Sequence, residues 1–580
     1  MASGVDTFFT AWRLEDSLDG LDLRSSEWIP WRRRRSGVVW GPIAMITDGI
    51  DGDDPVTGVA SPRPDFDGAL LEFLVGILSV ALRPADMTAW KAHWFAPPAP
   101  DELQRFVMTL PDAFRLDADD GPRFLQDFVP SDLAEYDLLP IDRLAIDSPG
   151  EQGIKLNKTL FVKPARFARV SRPVAAMAII TMQTYAPAGG QGNRTSMRGG
   201  GPLTTLADPR QSTRDMPADQ QPLWYKLWIN AETQEEARAR APGGGPATPA
   251  NIFPWLAPTR VSDNGKPPVT PAVANAMQAY FGMPRRLLLS LGSAGYCDLT
   301  GRHDHRLVTG YRMRNFGVEY DAWKHPLSPH YRKEDKDAAV WLPIHPQPGG
   351  LTWKDWPDLA LASDGAPRVS AACIAVARRR AKLVGVTDLR LHAFGYDMDN
   401  MKARAWVSTE QPLLLTVDDS ADDREWLALL AEKLVTATRT ADVALSIAIK
   451  AAWFDRPADA GADASVPKQR LWAATEAPFF AALRATIAAG FTNHTVAESR
   501  QKFFPRLCSI TMDLMNEAAP LSAAPVTAIR RYVSARHQLS LTFKGYGKLG
   551  MQLYEALQLE PPVTEPKPKK KLSPKRGARG

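Results

Sequence analysis

The chain has 580 residues, several times the usual single-domain length, with 44% hydrophobic and 23% charged residues, which excludes a mostly disordered protein. Seven Lys or Arg and one Glu between residues 561 and 580 outweigh the whole net charge of +5, so the rest of the chain is slightly acidic and net charge gives no argument for nucleic acid. The longest apolar run, residues 68–82, carries Glu72 and ends at Arg83-Pro84, too short and interrupted for a membrane span.

Residues 1–23 read as an N-terminal extension without the basic start and apolar stretch of a secretion signal, which leads to an expected cytoplasmic location. Residues 24–60 alternate short apolar and polar stretches around Trp28-Ile29-Pro30 and Trp31, predicting strands and turns. Phe66, Leu70, Leu74, Ile77, Leu78 and Ala81 keep helical spacing, and residues 101–108 suggest a second, short helix. Residues 148–206 read as loop and strand and carry Lys155, Lys158, Lys163, Arg166 and Arg169. Residues 241–250, APGGGPATPA, are expected to be a mobile connector. Strand-like runs return at residues 286–291, 307–320, 338–342 and 389–394. After Pro412 the period changes: Trp426, Leu430, Leu434, Ala437, Ala441, Leu445 and Ala448 recur every three or four residues, and further helices are expected near 467–489, 494–518 and 525–557. The expected fold is therefore α+β: a large mixed domain over residues 24–412, an antiparallel four-helix bundle over 413–560, and a disordered basic tail over 561–580.

Enzyme signatures are missing. Gly545 to Gly550, GYGKLG, lacks the Ser or Thr that follows Lys in a phosphate loop, and there is no HExxH, GxSxG or paired CxxC. Cys297, His303 and His305 lie within nine residues but lack a fourth ligand, so they read as a polar turn and no metal is expected. The three cysteines are scattered and suggest no disulfide framework. Asp48, Asp51, Asp53 and Asp54 lack the oxygen spacing of a calcium loop and read as a solvated turn. The runs Arg32–Arg35 and Arg378–Arg380 suit either phosphate binding or a solvated face.

Two segments are harder to explain by packing. Residues 185–206, YAPAGGQGNRTSMRGGGPLTTL, put glycine clusters around Arg194 and Arg198. A loop with few side chains can bring backbone groups into a minor groove about 6 Å wide; a flexible surface loop is the alternative. In residues 389–407, alternating Leu389, Leu391 and Ala393 lead to a polar turn, after which Ala403, Ala405 and Val407 resume the alternation, predicting a hairpin. Met401 at its tip suits contact with an opened base step, or is simply exposed.

With the Trp28-Ile29-Pro30 start, the helix from Leu70 to Pro84, Pro122-Arg123-Phe124-Leu125-Gln126, the run from Ala186-Pro187 to Thr204-Thr205, Gly395-Tyr396 and the helical ending, the chain resembles the CasA family over residues 24–558. These are the large subunits of the type I-E CRISPR surveillance complex, Cascade. The resemblance implies a DNA-binding subunit without catalytic residues, metal or cofactor. Its partners would be guide RNA, double-stranded target DNA, the other Cascade subunits and a helicase-nuclease. The family's glycine loop, which reads the protospacer-adjacent motif (PAM) from the minor groove, corresponds to Ala188, Gly189, Gly190, Gln191 and Gly192, continuing into Asn193 and Arg194. Its strand lysine aligns with Asn315, flanked by Arg312 and Arg314, and its hairpin wedge with Asp399, Asn400, Met401 and Lys402. Phe161 corresponds to the aromatic residue that meets the 5′ handle of the guide RNA. Many relatives carry a cysteine cluster where Cys297 stands alone. A scaffold that never touches DNA, and a nuclease using His303, Asp304 and His305 with a metal, are the competing readings.

Overall fold

The computed structural model describes residues 20–561 except 130–132, 158, 161, 188, 211–219, 264, 335–339, 362–366, 400–401, 417–419, 458–464 and 520–524. The tail beyond Pro561 lies outside the described residues, as does most of the N-terminal extension. Two units are distinguishable, one running to Leu351 and including Asp355–Asp419, the other formed by Thr352–Lys354 and the chain from Ser420 onward.

The first unit is α+β. Its helices are α1 (Pro64–Ala81), α2 (Met87–Phe95), α3 (Pro100–Met108), α4 (Glu151–Lys155), α5 (Arg172–Tyr185), α6 (Leu223–Asn230), α7 (Gln234–Arg240), α8 (Pro249–Ile252), α9 (Trp356–Ala360) and α10 (Ala372–Val384). Small antiparallel sheets surround them: β1 (Ile29–Arg33) lies between β2 (Val38–Gly41) and β3 (Val56–Val59). A second sheet places β9 (Val308–Arg314) between β4 (Leu139–Pro140) and β6 (Arg286–Leu291), and β7 (Gly295–Tyr296) pairs with β8 (His303–Asp304). A third has β10 (His330–Lys333) between β11 (Val340–Pro343) and β12 (Arg368–Val369). The last has β13 (Leu389–Asp399) between β14 (Lys402–Pro412) and β5 (Thr204–Pro209).

Helix α1 is buried on nearly every face, from Phe66 through Ala81, and packs on α5 and on the 3-10 turn Ala276–Phe281. Residues 20–23, assigned by the sequence reading to the extension, belong to this body: Leu21 and Leu23 are buried, and Leu21 N donates to Asp117 Oδ1 at 2.6 Å. Residues 148–206 are not only loop and strand, because α5 runs through them. Its apolar residues face the core on every side, so no helical period separates a polar face from an apolar one. The 241–250 segment is tied down: Gly245 N donates to Ala274 O at 3.0 Å and Asn275 Nδ2 to Gly245 O at 3.2 Å.

The arginine runs are divided between internal pairs and the surface, where Arg32, Arg35 and Arg379 are exposed. Arg33 pairs with Asp48 and Asp54, and Arg35 with Asp53, so the acidic turn partners the arginine run. On α10, Arg380 is buried, donates to Ile229 O and Ala231 O, pairs with Glu236 and lies over Trp90. Arg378 is buried as well.

Burial also fixes the protonation of two core histidines. His325 and His330, each 3% exposed, are held below the usual histidine range chiefly by burial, with the nearby Arg198 adding to the effect, and His330 falls to about 4. The folded state therefore favours neutral rings. Their contribution to stability is complete above the unfolded value of about 6.5 and is lost as pH falls from there toward the folded value. Urea titrations from pH 6.5 to 4 are expected to show stability falling by on the order of 1 kcal/mol per pH unit. His330→Gln should make the decline shallower; an identical decline in that variant would remove His330 as its source.

In the second unit, Ser420 caps α11 (Ala421–Trp453) by accepting from Asp423 N at 3.0 Å. The helix packs against α12 (Ser465–Ala489), α13 (Asn493–Glu517), α14 (Val526–Thr542) and α15 (Gly547–Leu557), burying Leu427, Leu430, Leu434, Ala441, Leu445 and Ala448. Trp353 joins this unit, its Nε1 donating to Trp472 O at 2.8 Å and its ring stacking on Phe479 at 4.3 Å. The predicted fourth helix is two helices. Gly545, at φ +85°, turns the chain between them, and a Cβ on Gly550 would lie 2.6 Å from the backbone of Gly545. The GYGKLG glycines thus make a tight helix break.

Candidate nucleic-acid interface

The residues after α5 leave Tyr185 and return through residues 198–203 to β5, and both arms are fixed on one buried carboxylate. Glu72, in the middle of α1, accepts from Tyr185 Oη at 2.5 Å and from Thr204 Oγ1 at 2.6 Å, and pairs with Arg198 Nη2 at 2.5 Å. Arg198 and Glu72 side chains are 3% and 6% exposed. Arg198 Nη1 also donates to Thr204 Oγ1 at 2.9 Å and Ser328 Oγ at 3.0 Å. Burial and the neighbouring carboxylate push the Tyr185 phenol well above its usual range, so it stays protonated and donates.

Between these arms the glycine loop lies at the surface, with Gly189, Gly190 and Gln191 exposed. Its entry rests on Arg285, which donates to Pro187 O and whose guanidinium burial pushes down to about 10. The end of β9 holds its other side: Asn315 Nδ2 donates to Gln191 O at 2.8 Å and Phe316 N to Gly192 O at 2.8 Å. Gly192 has φ +76°, and a Cβ there would sit 3.0 Å from Asn315 Cβ, so this seam requires glycine. Within the loop, Asn193 Nδ2 donates to Gly189 O and Asn193 N to Gly190 O at 3.3 Å.

The exit arm lies against the predicted hairpin. Strands β13 and β14 pair from Arg390↔Pro412 to Asp399↔Lys402, with an irregularity between Asp397 and Met398. A Cβ on Gly201 would fall 2.6 Å from Met398 Cγ, and a Cβ on Gly395 would fall 2.4 Å from Pro202 O. His345 Nδ1 meets Gly201 O at 3.2 Å. Near the tip, Arg404 pairs with Asp397 at 2.6 Å and approaches Asp399 at 3.8 Å, while Lys402 is exposed.

The structure therefore brings Gly189–Asn193 beside Asn315 and joins the loop's exit arm to the strand that ends at Asp399. Arg194 points elsewhere: it donates to Ser262 Oγ at 2.6 Å and Ser262 O at 2.7 Å and pairs with Glu319. Arg314 lies over Tyr136, 5.8 Å from the ring centroid, and Arg312 is half-buried with its Nε unpartnered among the described residues. Phe161, Ala188, Asn400 and Met401 lie outside the described residues. Next to Phe161 in sequence, the basic segment is anchored by carboxylates: Asp298 accepts from Ala168 N at 2.8 Å and Arg169 N at 3.1 Å, and Arg166 pairs with Asp147.

Asp304, placed by the nuclease reading between two histidine ligands, is a structural carboxylate. It accepts from Arg172 N at 2.7 Å and pairs with the Arg172 side chain at 2.9 Å, fixing the start of α5. The neighbouring His303 and His305 rings meet edge to face at 5.6 Å. The Glu72–Arg198 pair was not visible in the glycine pattern; its one sequence signal is a lone carboxylate inside an apolar helix.

A model of the CRISPR-associated protein Cse1 family matches residues 22–513. The fold is similar to that of Cse1 from Thermobifida fusca, with TM-score 0.64, 17% identity, and coverage of 93% of this chain and 98% of that one. Cse1 from Acidimicrobium ferrooxidans gives TM-score 0.63 at 15% identity, with coverage of 93% and 98%. A chain of a structure described as a CRISPR RNA-guided surveillance complex gives TM-score 0.63 at 16% identity, with coverage of 90% and 99%.

Proposed function

The chain belongs to the CRISPR-associated Cse1 family, and from that membership and the site's geometry we propose that it is the non-catalytic large subunit of an RNA-guided Cascade complex. It reads the PAM of double-stranded DNA from the minor groove with its glycine loop and starts unwinding with the β13–β14 hairpin. The guide RNA then takes the target strand, and the subunit helps to recruit a helicase-nuclease. Guide RNA, target DNA and the other Cascade subunits are its partners, and Phe161 is the proposed contact to the RNA handle. The resemblance to a chain of an RNA-guided surveillance complex supports guide RNA and the other subunits as partners.

The observation that carries the reading is the seam at Gly192: an exposed loop with little side-chain bulk, pinned through Gln191 and Gly192 to the end of β9. Such a loop is thin enough for a minor groove. Minor-groove edges separate mainly A·T from G·C, so several motifs should be accepted. Sequence specificity comes from the guide.

Gly190→Trp tests this. A Cβ at Gly190 meets only Asn193 Nδ2, at 3.4 Å, so the ring projects outward, although φ +80° adds local strain. In the assembled complex, affinity for motif-bearing duplex should fall about tenfold or more, while the unfolding midpoint moves little. Equal affinity would rule out a groove-reading loop. Wild-type binding that ignores the flanking motif would leave only the scaffold role.

A further inference from the structure

The loop's backbone groups are sorted by polarity. Four successive carbonyls each meet a donor of the chain itself: Gly189 O takes Asn193 Nδ2, Gly190 O takes Asn193 N, Gln191 O takes Asn315 Nδ2 and Gly192 O takes Phe316 N. The N–H groups of residues 189–192 make no hydrogen bond among the described residues. With its carbonyls engaged, the backbone has donors left to offer, and donors suit the A N3 and T O2 acceptors of the minor groove. The groove's one donor, the guanine 2-amino group, needs an acceptor from elsewhere.

Asn315 is exposed and its amide orientation is fixed, because the atom facing Gln191 O must be the nitrogen. Its Oδ1 is then directed away from that bond as a side-chain acceptor beside the loop. We propose that Asn315 is a specificity-determining residue: its amide nitrogen holds the loop through Gln191 O, and its Oδ1 accepts from a guanine 2-amino group, selecting a G·C pair at the position it faces. This rests on the groove-reading function proposed above. Asn193, with its nitrogen on Gly189 O, has the same polarity but is less exposed, which makes Asn315 the primary reader.

The test uses the assembled complex and duplexes in which each guanine of the PAM is replaced in turn by inosine, which still pairs with cytosine, through two hydrogen bonds, but lacks the 2-amino group. At one position, inosine should weaken wild-type binding about three- to tenfold, the size of one hydrogen bond. Asn315→Leu should bind guanine and inosine duplexes equally, and so should Asn315→Lys, which presents a donor instead. Circular dichroism of both variants should match wild type, since the side chain is exposed. Motif discrimination with no inosine-sensitive position would overturn the proposal and leave the groove reading standing. Retained inosine sensitivity in Asn315→Leu would assign the acceptor to another residue and also overturn it. Absence of any motif discrimination by wild type would overturn the proposal together with the reading beneath it.

Discussion

Replacing Glu72 by leucine is expected to destabilise the first unit by about 3–5 kcal/mol, the usual consequence of leaving one member of a buried ion pair without its partner. Arg198 would keep its bonds to Thr204 and Ser328 but lose its carboxylate partner, and Tyr185 Oη would lose its acceptor. Glu72→Gln should cost less, because an amide oxygen still accepts from the phenol. The double variant Glu72→Leu with Arg198→Leu should recover much of the loss, since both charges leave the core together. Urea unfolding of the full chain, followed by a probe in the first unit, provides the measurement. A single-variant loss below about 1 kcal/mol would mean that the pair is solvated despite its small exposed area. With the loop's base undone, motif-dependent binding should also weaken, even at temperatures where the variant is folded.

The second large effect is expected at the hairpin. The paired strands bring Asp399 opposite Lys402, and the intervening Asn400 and Met401 combine a polar group able to contact base edges with an apolar group able to occupy an unstacked step. Unstacking costs a few kcal/mol per step, so Asn400→Ala with Met401→Ala should slow R-loop formation on linear duplex about tenfold or more. On a duplex already mismatched beside the PAM the loss should be much smaller, because the step is open before the protein arrives. Stopped-flow fluorescence of a base analogue beside the PAM would follow the rate. Equal slowing on both duplexes would point to a docking defect and remove the wedge role.

Elements governed by local pattern were legible in the sequence. The β13–β14 hairpin follows from the alternation of Leu389, Leu391 and Ala393, and α11 from its three-or-four spacing. Helix α5 was hidden because burial on all sides erases its period. The break at Gly545 was hidden for a different reason: apolar spacing continues across it from α14 into α15. In the candidate site, the loop and hairpin stood out through glycine content and turn chemistry, but the fates of the arginines did not. Arg194 and Arg198 look alike between the same glycines. One reaches Glu319 at the surface and the other Glu72 in the core, each more than a hundred residues away in sequence. Likewise, Asn315 reads in sequence as a polar residue at a strand end, and only its bond to Gln191 O fixes which end of the amide points outward.

The shared carboxylate at Glu72 separates the loop's foundation from its content. Tyr185 and Arg198 meet there on opposite sides of residues 186–197, so the span is closed at its base by contacts that do not involve the exposed glycines. Lengthening such a span is cheap, since even a doubling adds only about 0.6 kcal/mol of closure entropy. Residues 189–191 can therefore be treated as an exchangeable cassette, with Gly192 kept as glycine at the seam. If the loop reads the PAM as proposed, insertions or grafted sequences there should change which motifs are admitted while the core below keeps its melting behaviour.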